Sequence, residues 1–182
     1  MGPRARQADA REGLTSMVFM QHLLGRRMPN ADLEATSGSP VNPARIPGPA
    51  VIFCYPFTGR PGHPNPPNWD DIPGAHGSTP QALAYSGAYG HFRRLGVKLF
   101  GLSMLASEWQ RDFVTRNKLT YRLLSDESRT VQSALGLPMF ETGGALYLQR
   151  LTFILQDGII SAVRFPIPEP ERDAAEVLAA LS

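Results

Sequence analysis

Ala50-Val51-Ile52-Phe53-Cys54-Tyr55-Pro56 is the stretch on which the fold turns. Residues 50–55 form an unbroken apolar run of strand length, and Pro56 ends it because proline has no N–H to offer a ladder. A strand apolar on both faces is covered on both faces, which marks the centre of a sheet packed between helices. Pro47-Gly48-Pro49 punctuates the chain just before it.

Working outward, residues 57–77 hold four glycines and five prolines, with Pro64-Asn65-Pro66-Pro67 in the middle, so most of the segment is one long loop. Loops of this length in a compact domain are usually functional or disordered. Ser78-Thr79-Pro80-Gln81 then opens a helix, with a Ser or Thr cap and a proline in the first turn, and Gly96 supplies its stop. Residues 97–102 read as a second apolar strand and 103–118 as an amphipathic helix carrying Trp109, Phe113 and Val114. Leu123-Leu124 is a short strand, and Ser125-Asp126-Glu127 caps a helix ending at Gly136-Leu137-Pro138. Strands over 146–155 and 159–165 are joined by Gln156-Asp157-Gly158, a strong hairpin signal, and a last helix covers about 171–181. Upstream, Ser37-Gly38-Ser39-Pro40 suggests a small N-terminal hairpin. This order predicts an α/β chain of thioredoxin-like, three-layer fold, with a central mixed sheet and helices on both faces.

A length of 182 residues suits one domain, expected over 28–182, preceded by an arm over 1–27 that is partly disordered or a short helix. Eighteen basic against sixteen acidic side chains leave no stripe for nucleic acid. The basic excess sits in Arg4, Arg6, Arg11, Arg26 and Arg27, read as a solvated arm. Cys54 is the sole cysteine, so no internal disulfide forms and a cytoplasmic location is the expectation. The apolar run over 17–24 is interrupted by Gln21-His22 before it could span a bilayer and has no small-residue cleavage site, so neither membrane nor signal peptide is expected.

Three motifs resemble the peroxiredoxin family: Tyr55-Pro56 at the end of a core strand, Gly77-Ser78-Thr79 at the start of a helix, and Arg150-Leu151-Thr152-Phe153 at the start of a late strand. Leu124-Ser125-Asp126 and Gln156-Asp157-Gly158 are similar to the family as well, and the resemblance runs from about Met28 to Leu181. It implies a thiol-dependent peroxidase in which Ser78 stands at the position of the peroxide-reducing cysteine. Thr79, Gln81 and Arg150 would complete the catalytic centre, with Tyr55, Pro56 and Gly77 shaping the pocket. Leu83 stands where members that resolve within one helix carry a second cysteine, which implies a one-cysteine type regenerated by an external thiol such as thioredoxin or a small thiol. The substrate implied is a hydroperoxide; a homodimer is allowed, and no cofactor or metal is called for. The 57–77 insertion breaks the family's usual spacing, so either Thr58 or Pro73 stands in for the missing part.

The chemistry requires a thiolate, and a helix N-terminus with a nearby arginine lowers a cysteine pKa from about 8.5 toward about 3.5–7.5. A serine hydroxyl is far less acidic, is not oxidised reversibly to a sulfenic acid, and needs a base to become a nucleophile. The chain as written should therefore not turn over peroxide through Ser78. That residue is either natural or the near-isosteric replacement used to silence a cysteine. Other readings are weaker. Ser78 would serve as a plain helix cap, and Cys54 as an inert hydrophobe. His76 would be a base two residues from Ser78, but outside any nucleophile elbow. His63, Asp70, Asp71 and His76 show no ligand-like spacing, and Trp69 and Trp109 read as packing residues. The competing class is a non-catalytic thioredoxin-fold module that binds a partner or anion through the 57–77 loop or the Arg150 pocket.

Overall fold

The computed structural model of the chain describes Gly13, Val18 and residues 20–182. Arg4, Arg6 and Arg11 of the basic arm, with Met17 and Phe19 of the apolar run, lie outside the described residues. The described residues form eight strands: β1 (Glu34–Ala35), β2 (Pro49–Cys54), β3 (Lys98–Ser103), β4 (Arg122–Ser125), β5 (Met139–Thr142), β6 (Ala145–Leu148), β7 (Leu151–Gln156) and β8 (Ile159–Arg164). Six of them make a mixed sheet in the order β1-β4-β3-β2-β7-β8, and β5 pairs with β6 apart from it. β2 is central, parallel to β3 and antiparallel to β7.

Alternation along the 50–55 run explains why all of it is apolar, since successive side chains point to opposite faces. Val51, Phe53 and Tyr55 enter a core with Tyr85 and Phe92 of α1 (Ser78–Arg94), Phe113 of α2 (Ser107–Asn117) and Val177 of α4 (Pro170–Leu181). Ala50, Ile52 and Cys54 enter the opposite core, with Leu102, Leu124, Phe153 and the Val131 and Leu135 side chains of α3 (Thr130–Leu135). The thioredoxin-like arrangement of a mixed sheet between helices is thus the observed fold.

Local details differ from the sequence expectation. The N-terminal hairpin is a single Leu33–Val41 bridge, and Glu34–Ala35 instead joins the sheet beside β4. The strand expected over 146–155 is broken at Gln149-Arg150, where the Gln149 N–H turns to the Pro138 carbonyl at 2.9 Å. α2 starts at Ser107 rather than Ser103 because Ser103 finishes β3 and its hydroxyl accepts the Leu105 N–H at 3.1 Å. Packing also reaches back into the arm. Leu23 is fully buried, and Arg27 donates to the carbonyls of Ala44 and Asp157 at 3.1 and 3.0 Å. Asp157 and Gly158 both have positive φ, as a tight two-residue hairpin turn requires, and a Cβ on Gly158 would run into the Ala44 carbonyl. No helix among the described residues is long and apolar enough to cross a membrane.

Candidate active site

Gly77, not Ser78, is the N-cap of α1, with φ 107°. Glycine is demanded there twice, by the left-handed backbone and by crowding, since a Cβ would stand 2.6 Å from Cγ of Pro170 on α4. Ser78 is the first helical residue, 5 % exposed, and the plain-cap reading of its hydroxyl gives way to a different bond: Nη2 of Arg150 donates to Ser78 Oγ at 3.2 Å. The positive end of a seventeen-residue helix and a guanidinium therefore meet at one side-chain oxygen.

Arg150 reaches this place because the chain turns between β6 and β7, sending its side chain inward, where it is 4 % exposed. Its Nη2 also donates to the His76 carbonyl at 3.0 Å, with longer contacts to those of Ala75 and Gly74 at 3.3 and 3.4 Å, and so ties the end of the proline-rich loop to the helix start. Its Nη1 donates to Gln81 Oε1 at 2.7 Å. Burial pulls the Arg150 pKa down to about 10, opposed by the charge of Asp173. That carboxylate is fully buried and accepts from Gln81 Nε2 (3.1 Å), the Tyr85 hydroxyl (2.6 Å), the Thr152 hydroxyl (2.7 Å) and Arg164 Nε (2.9 Å). Sequence reasoning passed over Asp173, Tyr85 and Thr152; only Thr152 lay inside a quoted motif.

Of the other expected residues, Thr79 is half-buried on α1 and stands outside this network among the described residues. Tyr55 and Pro56 are buried at the end of β2, where the Tyr55 hydroxyl accepts Gln110 Nε2 at 3.0 Å rather than facing Ser78 through a hydrogen bond. Thr58 is 2 % exposed while Pro73 is exposed, and Thr58 Oγ1 and Arg150 Nε are buried without a partner among the described residues. His76 pairs with Asp70 at the surface, so its ring is turned to a carboxylate and not to the serine. No cluster of three or more His, Cys, Asp or Glu suited to a metal forms among the described residues. Cys54 is fully buried, and burial first, then the Asp126 charge, pushes its thiol far up.

The 57–77 loop is ordered by aromatic packing. Trp69 stands 5.4 Å from Phe57, 5.6 Å from Phe140 and 5.2 Å from Tyr147, which fastens the loop to the β5–β6 pair. Trp109 of α2 donates to the Thr58 carbonyl at 2.7 Å and carries the Arg60 guanidinium over its ring at 4.1 Å. Both tryptophans are packing residues.

The AhpC/TSA family model matches residues 73–163, a span that includes Ser78, Gln81 and Arg150. The chloroplastic peroxiredoxin Q of Sedum lineare is 30 % identical over 163 residues, covering 88 % of this chain and 78 % of that protein. The chain belongs to the peroxiredoxin family. Peroxiredoxin Q of Arabidopsis thaliana is 29 % identical over 91 % of this chain and 69 % of its own length. Solved peroxiredoxin folds superpose on it. A Cys-to-Ser mutant of Xanthomonas campestris peroxiredoxin Q gives a TM-score of 0.67 at 21 % identity, over 87 % of this chain and 96 % of that one. The corresponding kind of mutant from Xylella fastidiosa gives 0.69 at 17 %, over 87 % and 94 %. The family is one of thiol-dependent peroxidases, oxidoreductases that reduce hydroperoxides with thiol reductants.

Proposed function

We propose that position 78 is the peroxide-reducing position of a one-cysteine-type peroxiredoxin centre, and that with serine there the chain is silent toward peroxide at this position. The observation that carries the reading is the Arg150–Ser78 hydrogen bond at the start of α1, which places one cation and one helix end on a single buried oxygen. A thiolate in that place would attack the distal peroxide oxygen, form a sulfenic acid and release water or an alcohol as the O–O bond breaks. The serine hydroxyl has no such path. Leu83, 45 % exposed on the same helix, offers no second thiol, so regeneration falls to an external reductant such as thioredoxin or a small thiol. Arg150 Nε, on the side chain that reaches Ser78, is a buried donor without a partner, and the unpartnered hydroxyl of Thr58, assigned by the resemblance to the family's threonine, would be the second donor to a bound peroxide.

Ser78→Cys is the test. The variant is expected to consume hydrogen peroxide with dithiothreitol or a thioredoxin system while the parent consumes none; a folded variant without activity would sink the proposal. The non-catalytic binding reading draws its support from the loop rather than from Arg150. Both terminal nitrogens of Arg150 are taken by the protein itself, whereas Phe57 of the loop and Phe140 and Tyr147 of the β5–β6 pair stand half-exposed around the buried Trp69.

A further inference from the structure

We propose that Asp173, on the C-terminal helix, is a positioning residue of the Ser78 centre: it fixes which end of the Gln81 amide faces Arg150 and thereby holds the guanidinium beside position 78. The inference rests on the reading of position 78 given above. Asp173 is 92 residues from Gln81 in sequence, yet both side chains are fully buried and bonded at 3.1 Å. A carboxylate only accepts hydrogen bonds, so the nitrogen end of Gln81 must turn toward it. The oxygen end is then left for Arg150 Nη1, which it meets at 2.7 Å.

The other two donors on the same oxygen, the hydroxyls of Tyr85 and Thr152, can each rotate to accept instead. Gln81 has no such freedom. If its amide turned round, its NH2 would face the guanidinium, opposing two donors that are buried from solvent. Arg164 holds the second Asp173 oxygen at 2.9 Å and also pairs with Glu176, so the buried charge is balanced from the far side. The path runs from Asp173 to Gln81, to Arg150, to position 78, and it makes α4 part of the site.

Ser78→Cys supplies the probe, because the thiolate absorbance at position 78 reports where Arg150 lies. The two roles open to Asp173 have opposite signs. As a nearby negative charge alone it disfavours the thiolate, and Asp173→Asn would lower the thiol pKa. As a positioning residue, its replacement lets the amide turn and Arg150 move away, and the thiol pKa rises. The expected result is a rise of about one pH unit, about tenfold less thiolate at a pH below both values. Gln81→Met should give the same rise, and the double variant no more than either alone, since both cut one path. Tyr85→Phe, which removes a different donor from the same oxygen, should lower the unfolding midpoint and leave the thiol pKa where it was. A fall or no change in Asp173→Asn, or additive effects in the double variant, would overturn the proposal. If Asp173→Asn does not fold, Gln81→Met decides alone: an unmoved thiol pKa there ends it. These readouts need no peroxide turnover, so a Ser78→Cys chain that titrates but consumes no peroxide would defeat the functional reading and still leave this one testable.

Discussion

The end of β2 and the start of α1 hold the same two chemistries in exchanged places. Cys54, the one thiol in the chain, is fully buried in an apolar sheet, where burial pushes its ionisation far up. Ser78, a hydroxyl that gains little from help with ionisation, sits where a helix terminus and Arg150 would hold a thiolate. On the function proposed above, the environment suited to a thiolate and the one thiol of the chain stand in different places, and Cys54 lies where burial raises its pKa rather than lowers it.

The comparison depends most on Arg150, and removing that residue should produce the largest effect. In a Ser78→Cys background, Arg150→Met is expected to return the thiol toward about 8.5, leaving a few per cent thiolate at neutral pH and cutting peroxide consumption about thirtyfold. It also leaves Gln81 Oε1 and the His76 carbonyl without their donor, which should cost about 3 kcal/mol in urea unfolding. An Arg150→Met chain that keeps both its thiol pKa and its stability would show that the helix end alone makes the environment.

Cys54 gives the other half of the comparison and a smaller effect with a definite sign. Its folded pKa is raised from 9.0 by burial, so above that value the unfolded chain loses a proton that the folded chain keeps. The unfolded state then binds fewer protons, and stability falls as pH rises. Between about pH 9 and pH 10 the loss from Cys54 should be on the order of 1 kcal/mol, and Tyr55, Tyr85 and Tyr121, also raised by burial from 10.0, together add a loss of about the same size. Cys54→Ala should remove about half of that slope while lowering stability uniformly, and denaturant titrations at the two pH values measure both. A slope undiminished by the substitution would mean the thiol contributes nothing to it.

The central strand was legible because its signal is local: six apolar residues closed by a proline dictate burial on both faces. Arg150 was legible only through a motif, since a lone arginine on a strand carries no mark of burial. The cap was misread for a physical reason. Ser78 has the right residue type, but Gly77 precedes it with a backbone angle only glycine adopts readily and takes the cap, so the helix starts one residue earlier than the serine rule supposes. Asp126 fared better, accepting the Val131 and Gln132 N–H groups at 2.9 Å each at the start of α3. Asp173 left no trace at all. In Glu171-Arg172-Asp173 it reads as an acid placed to suit a helix N-terminus, and its partners lie at distances in sequence that no spacing rule connects.

The smallest effect concerns Thr58, four residues past Cys54, whose buried hydroxyl has no partner among the described residues. An orphaned buried hydroxyl destabilises, so Thr58→Val should leave stability unchanged or raise it by up to about 1 kcal/mol. In the Ser78→Cys background the same substitution should slow peroxide consumption several-fold, because the hydroxyl is then a donor held in reserve for the peroxide. Stability and activity moving in opposite directions would mark Thr58 as a residue kept unsatisfied for a ligand. A fall in stability with activity intact would instead give the hydroxyl a structural bond and confine the primed environment to Arg150 and the end of α1.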